Sequence, residues 1–437
     1  MAGSGRYGDE TGRGVRGVYY GWWLLLALSW GQVTSWGILY YGFSVFITPM
    51  ERELGWTRGA LTGAFSLALL CSGLAGPFVG RWVDQHGPRL LMTGGSVGAA
   101  CLLLAWATVR VEPVFFLIFV GLGLAMAATL YEPAFAAIAT WFARGRSRAL
   151  TIITFVGGFA SVIYIPLISW LVGTYGWRAA LVALAAILAI LTIPPHALVL
   201  RRRPEDLGLV LDGRPAPVPA TGAPAGEETS VATGVALRSR SFRWLTIGFC
   251  LAFFANVAVT VHLIPYLIDH GFSPSFAATA AGLIGTLALP GRLIFTPLGA
   301  WVPRRFVAGG IFAVQALGIL VLVLTGTTAG VFAFVILFGI GFGAITPARA
   351  ALVAELYGRA NYGSISGMLA LFVTGARALA PVTAGLLYGL FGRYEPVFWI
   401  VITIALLATG AIVLIDGGGE FTAEAQSTQR AAERERE

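Results

Sequence analysis

Two long apolar stretches of the chain are joined by the residues GRWVDQHGPR at positions 80–89, which have the spacing G-x-x-x-D-x-x-G-x-R. Gly80 lets the end of one helix pack closely against a neighbour, and Gly87 permits the turn into the next helix. Asp84 can accept hydrogen bonds from a helix N-terminus or from an arginine on a neighbouring helix, and Arg89 completes the pattern. Such contacts would tie helices together in one conformation and break in another. A tight polar turn is the plainer interpretation.

The stretches on either side of this turn are typical of a membrane protein. The chain is 57% hydrophobic and 11% charged, with a mean hydropathy of +0.80, whereas a soluble protein carries about 25% charged residues. A helix that crosses a bilayer needs about 20 mostly apolar residues. Twelve such stretches are present, so we predict an all-α integral membrane protein with twelve transmembrane helices. The predicted helices cover residues 20–48, 58–80, 89–109, 114–142, 148–173, 178–200, 243–268, 274–299, 306–328, 330–356, 362–390 and 395–415.

A polar segment divides the chain between the sixth and seventh apolar stretches. Residues 201–240 contain few large apolar side chains, so we predict a linker that cannot fold alone. The halves also look alike, because Phe142 and Tyr357, like Pro166 and Pro381, are 215 residues apart. This repetition predicts two pseudo-symmetric six-helix bundles, a plan that recurs in transporters. The predicted domains are a tail at 1–19, a bundle at 20–200, the linker at 201–241, a second bundle at 242–416 and a tail at 417–437.

The basic residues predict an orientation. All 29 of them are arginine. If the N-terminus lies inside, 21 arginines fall in inner segments and five in outer loops, which is the bias expected of membrane proteins. We therefore expect a location in the cell membrane, plasma or inner, with both termini in the cytoplasm. The net charge of +8 does not indicate nucleic acid binding, because the arginines flank apolar stretches and do not share one polar face.

The patterns of enzymes and metal proteins are missing from the sequence. There is no phosphate-binding G-x-x-x-x-G-K-S/T, no H-E-x-x-H and no Cys/His cluster, and the three cysteines lie within apolar stretches. We therefore predict that the protein is not an enzyme, has no metal or cofactor, and takes its energy from ion gradients. A channel and a membrane receptor are the alternatives, and the duplicated halves favour a carrier. The expected partners are the lipid bilayer, protons and a small carboxylate, and a monomer is expected.

In this setting the turn at 80–89 resembles the signature that joins the second and third helices of the major facilitator superfamily. The corresponding turn of the second half, residues 299–305, has Pro303 where the aspartate would be, so the second half is expected to lack this latch. Further stretches resemble the bacterial branches that are similar to monocarboxylate transporters and to oxalate–formate antiporters. They are residues 20–23, 53–58, 176–178, 202–208 and 262–267.

The resemblance implies a carrier of small carboxylates such as lactate, pyruvate or oxalate, often moved with a proton. Such carriers hold the carboxylate with an arginine in the eighth helix, which corresponds to Arg292. In bacterial lactate carriers a histidine and a tyrosine join it, and His262 and Tyr131 correspond. Animal members add an acidic residue one turn before the arginine and a lysine in the first helix. Here Ala288 stands at the acidic position and the chain has no lysine, so proton coupling through those two groups is not available.

The properties of Arg292 agree with that role. Its guanidinium stays charged when buried and fits a carboxylate with two parallel hydrogen bonds, although a structural tie to another helix is the alternative. Pro290-Gly291 is expected to loosen the helix and open backbone groups toward a cavity. His262 could donate to a carboxylate, accept the coupled proton or simply pack. Tyr40-Tyr41 would either line the path or pack, and Gly157-Gly158 are interpreted as packing residues.

Glu132 is the one carboxyl group deep in any apolar stretch, and burial disfavours its charged form, so it could carry a proton. Half-to-half alignment matches it with Pro347, two residues before Arg349. Counted from the inner ends of their helices, Glu132 and Arg349 differ in depth by about 3 Å, which an arginine can reach. We expect Glu132 to pair with Arg349 or Arg377 when the inner side is closed, as a gate or a proton-coupling group. A purely structural pair is the alternative.

The excess of buried arginine over buried acid favours an anionic substrate, whereas multidrug effluxers favour acidic residues for cationic cargo. We therefore predict a secondary active transporter that moves a small monocarboxylate of the lactate or pyruvate type, with a proton, by alternating access. An organic anion exchanger of the oxalate–formate type and a multidrug effluxer are the alternatives.

Overall fold

A computed structural model describes residues 18–213, 231–299 and 301–415, and all regular structure in these ranges is helical. A π-helical segment, Trp36–Tyr41, joins α1 to α2, and short 3-10 turns at Pro204–Leu207 and Leu211–Gly213 follow α9. The α-helices are α1 Tyr20–Ser35, α2 Phe43–Leu54, α3 Arg58–His86, α4 Pro88–Thr108, α5 Glu112–Thr129, α6 Tyr131–Trp141, α7 Arg146–Gly157, α8 Ala160–Tyr175, α9 Trp177–Leu198, α10 Thr233–Arg238, α11 Arg240–Asp269, α12 Pro274–Leu298, α13 Arg304–Thr325, α14 Thr328–Tyr357, α15 Tyr362–Phe391 and α16 Glu395–Val413.

The predicted all-α fold with twelve membrane spans is confirmed. Eleven segments of the described ranges are helices long and apolar enough to cross a membrane, and α1, the π segment and α2 together form the other span. The first span continues to Leu54, beyond its predicted end at residue 48. Two spans are broken inside the membrane, because the fourth consists of α5 and α6 and the fifth of α7 and α8.

The break in the fourth span lies at Leu130 and has a local cause. Pro133 has no N–H group to donate to the Thr129 carbonyl, so the helix loses a hydrogen bond there. The side chain of Gln32 in α1 donates to the carbonyl oxygens of Thr129 (2.9 Å) and Leu130 (3.3 Å) instead. A buried amide on one span thereby satisfies the backbone of another, as buried polar groups require.

The expected loosening of the helix before Arg292 was wrong. α12 continues without a break through Pro290 and Gly291. Gly291 serves close packing, because a Cβ at this position would collide with the carbonyl group of Ile340 in α14. The helix that carries Arg292 is therefore continuous through these residues.

The apolar cores show how the two halves meet. We call the side with the 80–89 turn and the linker the linker face, and the opposite side the far face. One core lies toward the linker face and contains residues of both halves, such as Trp141 and Tyr357. Two further cores lie toward the far face, one within each half, around Phe115 and Phe398 respectively. The halves are thus packed together at the linker face and packed separately at the far face.

The predicted linker and tails are described only in part, since residues 214–230, 1–17 and 416–437 lie outside the described ranges.

Candidate substrate site and gate

The turn at 80–89 ties α3 of the first half to α15 of the second. The Asp84 carboxylate accepts hydrogen bonds from the backbone N–H groups of Gly363 (2.8 Å) and Ser364 (2.7 Å) and from the Ser364 hydroxyl (2.6 Å). Both residues lie in the first turn of α15, whose N–H groups have no partner inside the helix and favour an anion. Of the two partners considered for Asp84, the structure shows the helix N-terminus. Gly87 has a φ of +81°, which suits the turn.

Beside these hydrogen bonds, glycines allow the backbones of α3 and α15 to contact each other directly. A Cβ at Gly80 would collide with the Gly363 carbonyl group, and one at Gly76 would lie 3.0 Å from the carbonyl oxygen of Gly367. The two helices therefore touch along more than a turn without intervening side chains. Arg89, the last residue of the pattern, is exposed.

Glu132 also crosses between the halves near the linker face. Its carboxylate forms an ion pair with Arg349 of α14 and accepts a hydrogen bond of 2.7 Å from the Ser366 hydroxyl of α15. The Arg349 side chain is buried. Arg377 lies elsewhere, with its guanidinium 5.5 Å from the ring centre of Phe253, the geometry of a cation–π contact. Of the two arginines considered, Glu132 pairs with Arg349.

In the internal repeat α7 corresponds to α15, so the counterpart of Asp84 would lie at Pro303 and cap α7. The linker supplies a carboxylate for this cap instead. Asp212 accepts hydrogen bonds from the backbone N–H groups of residues 143–145, just before α7, at 3.2, 2.7 and 3.2 Å. Glu205, in the first 3-10 turn, pairs with Arg359 of the second half at 3.1 Å on the surface. The linker thus adds a further, more exposed connection between the halves.

Arg292 reaches from α12 to the first half. Its guanidinium donates to the backbone carbonyl of Thr154, near the end of α7, and to that of Gly343 in α14 at 3.3 Å. The break between α7 and α8 makes room for it. A Cβ at Gly158 would come within 2.5 Å both of the guanidinium and of the Leu289 side chain. Arg292 therefore lies at the contact between the halves and packs against Gly158. Any larger residue at position 158 would require the side chains of Arg292 and Leu289 to move.

Tyr131 lies beside Arg292 at the same break. Its hydroxyl packs against Gly157, and its ring stacks on Phe135 with centroids 4.9 Å apart. The Tyr131 hydroxyl and the Arg292 guanidinium thus pack against adjacent glycines, Gly157 and Gly158 respectively. The structure thus brings together two of the three residues that the resemblance assigns to the carboxylate.

His262 is engaged within the second half. Its Nε2 lies 3.1 Å from the Pro381 carbonyl oxygen and its Nδ1 lies 3.2 Å from the Tyr394 hydroxyl. Because a carbonyl only accepts, Nε2 carries the proton, and Nδ1 accepts from Tyr394. Burial raises the pKa of the Tyr394 hydroxyl, which keeps this donor protonated. For His262 to bind a substrate it would have to leave one of these partners.

Sequence reasoning missed two features of this site. Gly157-Gly158 were interpreted as packing residues, yet they accommodate Tyr131 and Arg292. Two adjacent glycines in the middle of an apolar stretch are a signal that could have predicted the break. For Asp212 no sequence pattern was available, because the linker reads as a polar segment without structure.

Two bundles joined by a linker, with buried charges where they meet, are an architecture that recurs in secondary membrane transporters. The sequence profile of the Major Facilitator Superfamily matches residues 25–381 and 303–435. The chain belongs to this superfamily and is a multi-pass membrane transporter, a class without enzymatic activity.

Relatives of known name agree with this assignment. The chain is 26% identical to Monocarboxylate transporter 13 of Bos taurus over 405 residues, which cover 91% of this chain and 89% of the relative. It is 23% identical to the uncharacterized MFS-type transporter YcxA of Bacillus subtilis, over 75% of this chain and 78% of that one. Among solved structures, the transporter FucP in its outward conformation superimposes with a TM-score of 0.69 at 13% identity, covering 89% of this chain and 98% of that one.

Proposed function

We propose that the protein carries a small monocarboxylate across the cell membrane together with a proton, by alternating access. The observation that carries this proposal is the position of Arg292, at the contact between the halves and beside Tyr131. The likeness to a protein named Monocarboxylate transporter 13 supports the same substrate class. The arginine bias supports a cytoplasmic linker face with both termini inside, so the separated far face would open outward.

Arg292 suits a carboxylate because its hydrogen-bond partners in this structure are ones that a carboxylate can displace. The neutral carbonyl oxygens of Thr154 and Gly343 are among its partners. A carboxylate offers two charged acceptors in the geometry of the guanidinium, and such charge-assisted pairs are about twice as strong as neutral hydrogen bonds. An arriving anion would therefore compete with the Thr154 carbonyl for Arg292. Binding would loosen a contact between the halves at the place where they must move.

Glu132 is the proposed proton carrier. With the linker face closed it is paired with Arg349 and accepts from Ser366. A proton that reaches Glu132 from the far face would neutralise the carboxylate and break its pair with Arg349, so that the halves can part at the linker face. The open linker face would then expose Glu132 to the cytoplasm, where it releases the proton, and the charged carboxylate would pair with Arg349 again on closure.

A second candidate is an organic anion exchanger of the oxalate–formate type. Arg377 favours it, because it is a second cation within the membrane-spanning part of the second half, on α15, with its guanidinium beside the Phe253 ring. Two cations, Arg292 and Arg377, would suit a substrate with two carboxylates. Counterflow separates the candidates, because an exchanger takes up labelled oxalate only into liposomes that contain oxalate.

Uptake by the purified protein in liposomes tests the main proposal. Labelled pyruvate and lactate are offered outside at acidic pH, with the interior at neutral pH. We expect saturable uptake that collapses with the pH gradient. Arg292→Ala should lower uptake at limiting substrate by about 30-fold or more, and Arg292→Lys should also impair it because the paired geometry is lost. Arg110→Ala, at an exposed position, is the control. Normal uptake by Arg292→Ala would refute the proposal.

A further inference from the structure

The π-helical segment of the first span gathers aromatic rings at the candidate site. Its hydrogen bonds join residues five apart, as from the Gly42 N–H to the Gly37 carbonyl at 2.8 Å. In such a turn the residues four and five positions on lie beside the starting residue, whereas in an α-helix the residues three and four positions on do so. Tyr40 and Tyr41 therefore both contact Trp36, with ring centroids 5.0 and 6.2 Å away.

The other side of this segment is anchored to the fifth span. The Tyr164 ring of α8 packs where Gly37 has no side chain, and its hydroxyl donates to Thr34 at 3.1 Å. The Trp36 indole N–H donates to Gln32, the residue that supports the break at Leu130, at 3.1 Å. The positions of the rings are thus set by glycine packing and by hydrogen bonds. π turns of this kind are frequent at functional sites.

The rings continue to the residue beside Arg292. The Trp36 ring lies 5.1 Å from that of Tyr131, whose hydroxyl packs against Gly157, next to the glycine that faces the Arg292 guanidinium. We call Trp36, Tyr41 and Tyr131 the aromatic wall. All three side chains are half-buried. The first half supplies the wall and the second half supplies the cation.

We propose that the site selects monocarboxylates with an aromatic side chain, whose ring packs on the aromatic wall while Arg292 binds the carboxylate. This rests on the proposed function, since it needs Arg292 as the carboxylate ligand. The methyl group of lactate or pyruvate covers little of a ring, so the ring faces of the aromatic wall would remain in contact with water. An aryl group covers a ring face and gains the offset or edge-on contact that aromatic pairs favour.

A series of acids that share the 2-oxo carboxylate group and differ only in the side chain tests the proposal. Binding of pyruvate, 4-methyl-2-oxopentanoate and phenylpyruvate to the full-length purified protein is measured by calorimetry. We expect phenylpyruvate to bind about tenfold more tightly than pyruvate, with the branched aliphatic acid in between. Phenylacetone, which has the ring but no carboxylate, reports partition into detergent and should not bind.

Ring variants identify the wall as the cause. Trp36→Leu and Tyr41→Leu should bring the affinity for phenylpyruvate close to that for pyruvate, while Tyr41→Phe should keep the preference. Trp170→Leu is the control, because Trp170 is an exposed tryptophan on α8. Equal binding of phenylpyruvate and pyruvate by the wild type, or an aryl preference that survives Trp36→Leu and Tyr41→Leu, would overturn the inference.

The proposed function can fail separately. If Arg292→Ala binds none of the acids while the wild type binds all of them with equal affinity, the carboxylate site is supported and the aromatic preference is refuted. If Arg292→Ala binds the series as the wild type does, the proposed function fails. If none of the acids binds the wild type, both proposals fail.

Discussion

The two interfaces between the halves are related by the internal repeat, but different kinds of contact hold them together. Where α3 meets α15, glycine backbones touch and the Asp84 carboxylate caps a helix. Where α12 meets α7, the guanidinium of Arg292 spans the contact and Pro303 replaces the aspartate. The donors of the first interface already bind a carboxylate, so an arriving anion gains little by replacing it. The second depends on hydrogen bonds to carbonyls, which an anion can replace. We infer that the first interface closes the molecule and the second senses the substrate.

The largest effect should follow from placing a side chain in the first interface. Gly80→Ala introduces a Cβ that collides with the Gly363 carbonyl, so the closed linker face becomes costly to form. We expect liposome uptake to fall by about 30-fold. Gly98→Ala is the control, since nothing lies within 4 Å of a Cβ there. Wild-type uptake by Gly80→Ala would show that the close approach of α3 and α15 is not needed.

Removing the charge of Glu132 should have the next largest effect. Glu132→Gln leaves buried Arg349 without its counter-charge, and transport should fall by about tenfold. The remaining uptake should no longer respond to a pH gradient, because the amide cannot carry a proton. Glu53→Gln is the control, since Glu53 pairs with Arg178 inside the first half. Residual uptake that is still fully driven by the pH gradient would exclude Glu132 as the proton carrier.

A smaller effect should come from the second interface through Gly158. Gly158→Ala pushes against the guanidinium of Arg292, so we expect the KM for pyruvate to rise about tenfold with little change in maximal rate. Gly173→Ala lies in the same span with open space around it and should be silent. The double variant Gly158→Ala/Leu289→Ala relieves the apolar clash alone. Full recovery in that double variant would mean that Gly158 serves packing and not Arg292.

The smallest effect should come from the linker. Glu205 and Arg359 form an exposed pair, and such pairs contribute about 0–1 kcal/mol. We expect Glu205→Gln to change uptake by less than about threefold, with the change shrinking at high salt. A loss as large as that of Glu132→Gln would show that the linker, and not the ion pair with Arg349, closes this face.

Sequence reasoning reached the fold more completely than the site. Hydropathy and the polar linker predict the spans, because bilayer thickness imposes a length on every helix. Pro133 and the glycines at 157–158 are local signals of the breaks near Leu130 and Gly158. The contacts that complete these breaks and hold the π segment, such as that of Gln32, come from other spans, and no local pattern encodes them.

Depth can be counted along a helix, and this predicted that Glu132 and an arginine would meet. The direction in which a side chain points around its helix depends on packing. For that reason the sequence does not decide between Arg349 and Arg377 as the partner of Glu132, and it does not predict the contacts of His262 with Tyr394 and Pro381.

Equilibrium binding to variants of the two interfaces tests the central claim most directly. The dissociation constant of whichever 2-oxo acid binds most tightly is measured for the wild type, Asp84→Asn and Arg292→Lys. The account predicts that Arg292→Lys weakens binding by about tenfold or more, whereas Asp84→Asn changes it by less than about threefold and reduces transport alone. Unchanged binding in Arg292→Lys, or loss of binding in Asp84→Asn, would contradict the division into one interface that closes and one that senses the substrate.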